Sequence, residues 1–253
     1  MSRIAKIVPC YPYTQNRSKR KAANSPNSYK IWEELIEKLV QGEMLSDPGV
    51  NLDLILYLRE DIGNLFDYQH ITKQASNKLN SYLEHKLPRG KISIHTMSND
   101  LTMGFSTIKE FLEKHSEGYD YVIFQEDDIY LLDNVDGYAK EAIDLKKNIV
   151  QLATYCERYP GEKHIAGCYA LMKVQPLIDN ISTFPLYLQR NELQTNEWAL
   201  KSTGFWDTPP SSLSTFKNYP RNLHNATGFQ QSYVRAGYNL GERFLFNVGI
   251  ETT

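Results

Sequence analysis

Apolar positions in the first half of the chain follow two alternating rhythms: short unbroken runs, and longer stretches that repeat every three to four residues. Ile4 to Val8 is a run of the first kind, stopped by Pro9, and predicts a short strand. From Ser28 onward Ile31, Trp32, Leu35, Ile36, Leu39 and Val40 recur at helical spacing. Asn27 or Ser28 would cap this helix, and Gly42 with the Asp47-Pro48-Gly49 turn would end it. Leu52 to Leu58 is continuous and apolar enough for a strand buried on both faces, and it ends in acid at Glu60 and Asp61. Ile71, Ala75, Leu79 and Leu83 mark a second helix, and Ile92 to Thr96 a third strand. Ile108, Phe111 and Leu112 mark a third helix after Gly104, and Tyr119 to Gln125 a fourth strand. Strands alternating with helices of this length imply right-handed crossovers and a mostly parallel α/β sheet, with ligands gathered at the carboxyl ends of the strands. Pro9, Tyr11, Glu60, Asp61 and Asn99 all fall on that rim.

The second half is less regular. A helix is expected through Val135, Tyr138, Ala139, Ala142, Ile143 and Ile149, and a strand over His164 to Met172. Phe184 to Asn225 is rich in Pro, Ser, Thr and Asn, with Trp198 and Trp206 interspersed; a segment this long within a domain suits a lid or substrate loop. Alternating Phe244, Phe246, Val248 and Ile250 suit a closing strand over Arg243 to Ile250.

Composition narrows the class. With 253 residues the chain fits one large domain with ample core. A net charge of -2 excludes a general nucleic-acid binder, which carries a basic field. Three cysteines, Cys10, Cys156 and Cys168, lack C-x-x-C spacing and cannot all pair, so neither a disulfide framework nor a zinc site is indicated. The start of the chain is interrupted too early by Pro9 for a signal peptide, and no apolar stretch reaches the ~18 residues of a membrane span. The expectation is a reduced, cytoplasmic protein without a transmembrane segment. Peripheral membrane contact is compatible with this, and Arg17, Lys19, Arg20 and Lys21 could meet a donor diphosphate or an anionic lipid-linked acceptor, the competing description being a solvated loop.

The sharpest chemical feature follows the fourth strand, where YDYVIFQEDDIYLL ends an apolar run in Glu126, Asp127 and Asp128. Three adjacent carboxylates repel one another, and a hard divalent cation with oxygen ligands, shared with substrate phosphates, relieves that repulsion. The competing description is a solvated acidic turn.

Four pieces in order give the chain a resemblance to nucleotide-sugar-dependent glycosyltransferases of the GT-A fold, most similar to the family 2 group. Ile7 to Tyr11 reads IVPCY, like the family's first strand, with Pro12 where Asn is common. Leu54 to Asp61 ends the second strand in acid, without the usual Asp-Gly-Ser turn. Asn99 and Gly104 resemble an Asn-x-Gly segment with a longer gap, and Glu126-Asp127-Asp128 resembles the metal-binding D-x-D motif in an E-x-D form. A fainter echo, Arg235-Ala236-Gly237-Tyr238, comes late.

The resemblance implies a Rossmann-like single domain over 1–253, with a nucleotide-sugar-binding half (1–135) and a loop-rich acceptor-binding half (136–253). Pro9 and Tyr11 would line the base of a UDP- or GDP-sugar, and Glu60 or Asp61 would accept from base or ribose. Asn99 and Gly104 would belong to the same nucleotide-sugar site, and Asp127 would face the ribose or sugar. Asp128, helped by Glu126, would hold Mn²⁺ or Mg²⁺, and His224 is a further metal-ligand candidate. The acceptor would be a glycan or a lipid-linked molecule.

One departure matters. Inverting members carry a Glu-Asp pair about a dozen residues before the late Ala-Gly, but here the window reads HNATGFQQSYVRAG without a carboxylate. A general base must lie within hydrogen-bond reach of the acceptor hydroxyl, and Asp207 beside Trp206 and Glu197 beside Trp198 are the candidates. A retaining enzyme would need no such base and could use Gln230 or Gln231. Two other readings stay open: a non-catalytic carbohydrate- or nucleotide-binding module that lacks the base, and a sugar-nucleotide pyrophosphorylase. The absence of any glycine between Val8 and Gly42 disfavours the second.

Overall fold

The computed structural model describes residues 2–12, 28–60, 68–98, 106–125, 127, 131, 139–144, 149–151, 156–159, 162–164 and 170–184. Its elements are β1 (Arg3–Cys10), α1 (Ser28–Leu45), β2 (Asn51–Glu60), α2 (Tyr68–Asn80), β3 (Ile92–Ser98), α3 (Ser106–Lys114) and β4 (Tyr121–Phe124). They continue with α4 (Ala139–Asp144), β5 (Ile149–Gln151), β6 (Cys156–Tyr159), β7 (Glu162–His164), β8 (Ala170–Lys173) and α5 (Val174–Asp179), then a 3-10 turn at Ile181–Thr183.

Six strands form one sheet in the order β3-β2-β1-β4-β8-β5, and β6 pairs with β7 separately. β3, β2, β1 and β4 are parallel. β8 runs antiparallel to both β4 and β5, so five of the six strands point one way. The architecture is thus α/β, a mostly parallel sheet flanked by helices.

Residue alternation divides the core between the two faces, because successive strand side chains point to opposite sides. On one face Val8 and Cys10 of β1 and Leu54, Leu56 and Leu58 of β2 meet Trp32, Ile36, Leu39 and Val40 of α1 and Ala75 and Leu79 of α2. On the other, Ala5 and Ile7, Ile55 and Tyr57, and Val122 and Phe124 of β4 meet Ile108, Phe111 and Leu112 of α3 and Val174 and Leu177 of α5. Burying each large aliphatic or aromatic side chain of this kind contributes about 1.5–3 kcal/mol. The periodicity that predicts the helices is therefore the set of positions each helix turns to the sheet.

Several boundaries differ from expectation. α1 does not stop at Gly42 but runs to Leu45, because Gly42 lies against the backbone of Leu131: a Cβ there would sit 2.6 Å from the Leu131 oxygen. Here glycine serves close approach rather than helix termination. The helix expected to extend to Ile149 is described only over Ala139–Asp144, and Ile149–Gln151 is instead strand β5, where β-branched Ile149 and Val150 suit an extended backbone. Of the strand expected over His164 to Met172, the described residues are His164, which ends β7, and Ala170 to Met172, which belong to β8. The closing strand over 243–250 lies outside the described residues.

Candidate functional site

The connections define where a ligand can enter. From β1 the chain moves sideways to β2 and β3 through α1 and α2 on one face, then returns across β1 to β4 through α3 on the other. The strand order reverses between β1 and β4, a topological switch point, and in open α/β sheets ligands bind outside the carboxyl ends of the strands at that point.

Pro9 ends the β1–β4 pairing at this rim. Alternate β1 residues bond to β4: the Arg3 carbonyl accepts from the Asp120 N–H (3.0 Å) and the Ile7 carbonyl from the Gln125 N–H (3.1 Å). Pro9 is next in that set, and it has no N–H to carry the ladder on. Pairing with β4 accordingly covers Ile4 to Ile7, whereas pairing with β2 persists to Cys10. Beyond Pro9 the β1–β4 ladder ends, on the rim where the sequence places the acidic triplet.

Asp127 ties that rim together from within. Its side chain is buried, and Oδ2 accepts from the Tyr11 backbone N–H at 2.6 Å and from Trp32 Nε1 at 2.8 Å. The carboxylate thus turns into the protein and links the end of β1, α1 and the segment after β4. Trp32 in turn packs against Tyr29, ring centroids 5.7 Å apart. Burial first, and then nearby Glu33, push the Tyr29 phenol up to about 12, so it stays a neutral hydroxyl at physiological pH. In the periodic pattern Trp32 is one more apolar position of α1, and its polar role does not show. The available signal is its indole N–H, which requires an acceptor when buried.

Of the other expected site residues, Tyr11 is half-buried just past β1, and Glu60 is the exposed last residue of β2, opposite Ser98 of β3. Pro9, Tyr11, Glu60 and Asp127 therefore share the carboxyl rim. Asp61, Asn99, Gly104, Glu126, Asp128, Glu197, Asp207, His224, Gln230 and Gln231 lie outside the described residues, as do the basic loop residues 17–21. Among the described residues no group of three or more His, Cys, Asp or Glu side chains is placed to hold a metal.

Arg59 also stands at this rim unannounced by the sequence pattern. It is fully buried near the end of β2, on the face that carries Ile55 and Tyr57, and Nη1 donates to Ser106 Oγ at 2.9 Å and Thr107 Oγ1 at 3.3 Å at the start of α3. Met97 Sδ of β3 lies 3.4 Å from the same nitrogen.

Fold and rim together define a doubly wound α/β protein whose β1–β4 ladder ends at a polar carboxyl rim. No protein-family model matches the sequence, and no curated protein matches it. Among solved structures the chain is similar to S. aureus TarS residues 1–349 in complex with UDP, with TM-score 0.48 and 12% identity over 78% of this chain and 55% of that one. It is also similar to TarS 1–349 alone, with TM-score 0.49 and 12% identity over 92% and 70%. A third likeness is to 4-diphosphocytidyl-2C-methyl-D-erythritolsynthase from Anaerococcus prevotii, with TM-score 0.43 and 10% identity over 78% and 82%. The chain thus spans about half the length of the UDP-bound TarS chain it matches. No described helix is long and apolar enough to cross a membrane.

Proposed function

We propose that this chain is a metal-dependent glycosyltransferase that moves a sugar from a nucleotide-sugar donor, UDP- or GDP-linked, to a glycan or lipid-linked acceptor. The observation that carries the reading is the end of the β1–β4 ladder at Pro9, beside which buried Asp127 bonds to Tyr11 and Trp32. A carboxylate held by two N–H donors fixes the backbone on either side of it, and its neighbours in sequence are Glu126 and Asp128.

The donor set fits a hard divalent ion, because carboxylate oxygens and phosphate oxygens are the ligands Mg²⁺ and Mn²⁺ prefer. The inward bonds of Asp127 leave that role to Asp128 and Glu126, with His224 as a further ligand. When bound, such an ion neutralises charge that develops on the departing nucleoside diphosphate. Tyr11 and Pro9 line the base, with Glu60 or Asp61 accepting from base or ribose, and Asn99 and Gly104 complete the nucleotide-sugar site. Asp127 acts from behind this surface by holding Tyr11 in place. Asp207, or Glu197, serves as the base for the acceptor hydroxyl.

Incubation with a panel of nucleotide sugars in Mn²⁺ tests the reading directly. Release of nucleoside diphosphate is expected from the parent protein and a loss of at least a hundredfold from Asp128→Ala. Binding of a nucleotide sugar without turnover would favour the non-catalytic module, and no binding of any donor would remove the reading altogether.

A further inference from the structure

The chain on either side of Asp128 is held to one helix at two points. Near the start of α1, Trp32 Nε1 donates to Asp127 Oδ2 at 2.8 Å. Near its end, Gly42 lies against Leu131, which is buried. The two anchors are ten residues apart on α1, about 15 Å along the helix axis. One helix thus seats both Asp127 and Leu131, and Asp128 falls between them in sequence.

The contact at Gly42 admits no side chain. A Cβ there would come 2.6 Å from the Leu131 carbonyl oxygen, 2.9 Å from its nitrogen and 3.2 Å from its Cβ. Two of these atoms are backbone, so no change of rotamer relieves them. Glycine inside a helix costs about 0.5–1 kcal/mol relative to alanine, and α1 bears that cost where the Leu131 backbone comes against it. The helix is also pinned at this point. Glu43, the next residue, is buried in an ion pair with Lys6 of β1, whose Nζ lies 2.8 and 2.7 Å from the two carboxylate oxygens. An added methyl at position 42 therefore moves Leu131 rather than α1.

We propose that Gly42 is a positioning residue for the divalent-cation site: by seating Leu131 on α1 it sets where the chain presents Asp128. The inference rests on the metal and nucleotide reading above and adds to it the helix that carries the ligand-bearing segment. Gly42 acts through the Leu131 backbone and touches no ligand itself. Relieving a 2.6 Å approach to an ordinary contact of 3.4 Å displaces the Leu131 oxygen by about 0.8 Å, whereas metal–ligand distances tolerate only about 0.2 Å. Groups that orient metal ligands from behind typically govern about ten- to a hundredfold in affinity.

The test separates positioning from stability. Mn²⁺ affinity of the full chain in the presence of UDP is measured by electron paramagnetic resonance titration at a temperature where circular dichroism shows each variant folded. Gly42→Ala is expected to weaken Mn²⁺ binding about tenfold. Leu131→Ala, which removes the buried side chain at the same anchor, is expected to weaken it by a similar factor and decides the matter if Gly42→Ala fails to fold. Leu177→Ala, a buried α5 position on the opposite face of the sheet, is expected to lower Tm while keeping Mn²⁺ affinity within about twofold. Mn²⁺ affinity within twofold of the parent in the folded anchor variant, or an equal loss in Leu177→Ala, would overturn the proposal. A parent protein that binds neither Mn²⁺ nor UDP would overturn the metal and nucleotide reading itself, a result distinct from either.

Discussion

Trp32 illustrates how one atom converts a packing residue into part of a site. Its ring fills the interface between α1 and the sheet, but its Nε1 also supplies one of two described donors to a carboxylate that is 2% exposed. Trp32→Phe keeps most of the ring and removes the donor, leaving buried Asp127 short of a charge-assisted bond. A loss of about 1.5–3 kcal/mol is expected in urea unfolding, on top of any change from ring size. Loss of nucleotide affinity is expected alongside, because the same carboxylate holds the Tyr11 N–H. Unchanged stability in Trp32→Phe would show that the bond contributes little.

At the scale of elements, two joints hold helices to the sheet by polar rather than apolar means. Lys6 of β1 and Glu43 of α1 are both buried, with Nζ 2.8 Å from Oε1 and 2.7 Å from Oε2. Removing one partner deprives a buried charge of its described counter-ion, so Lys6→Met alone is expected to cost about 3–5 kcal/mol, whereas Lys6→Met with Glu43→Leu recovers most of it. A double variant as unstable as the single one would count against this account. The second joint is a stack of His95 on β3 and His115 just after α3, centroids 4.0 Å apart, with Tyr57 of β2 packed on both. Burial first, and then the facing His115, lower the His95 pKa below its ordinary 6.5, while Glu110 of α3 opposes the shift. The unfolded chain then binds this proton more readily than the folded one. Full stability is present above about pH 6.5 and declines as pH falls from there through the depressed folded value. His95→Phe, which keeps the stack, is expected to flatten Tm against pH between about 7 and 5; an unaltered slope would assign the acid sensitivity elsewhere.

For the whole molecule, a ligand at the switch point bridges the two halves of the parallel sheet, because the strand order reverses between β1 and β4. Hydrogen exchange in the presence of UDP and Mn²⁺ is expected to slow most at the carboxyl ends of β1 and β4 and at the start of α1, and least at the opposite end of the sheet. There Asp53 holds Arg3 and the Tyr119 hydroxyl without reference to any ligand. Protection centred on Arg3 and Tyr119 would place the binding site at the wrong end of the sheet.

Much of this was legible from residue order alone. The strand and helix rhythms from Ile4 to Phe124 predict the parallel half of the sheet, because each apolar set is the face an element buries. The acidic rim follows from those same strands ending in polar residues. What stayed hidden depends on contacts between residues far apart in sequence. Gly42 reads as a stop until Leu131 is seen against it, and Ile149 reads as helix until β8 supplies an antiparallel partner. Asp127 reads as one member of an acidic cluster until Tyr11 and Trp32, 116 and 95 residues away, are seen to bond to it. By itself the sequence determined the order of elements and the rim on which polar residues gather, since both arise from local periodicity. Only the tertiary structure decided which way the charges face, since a carboxylate or guanidinium is committed inward by donors and acceptors that folding alone brings near.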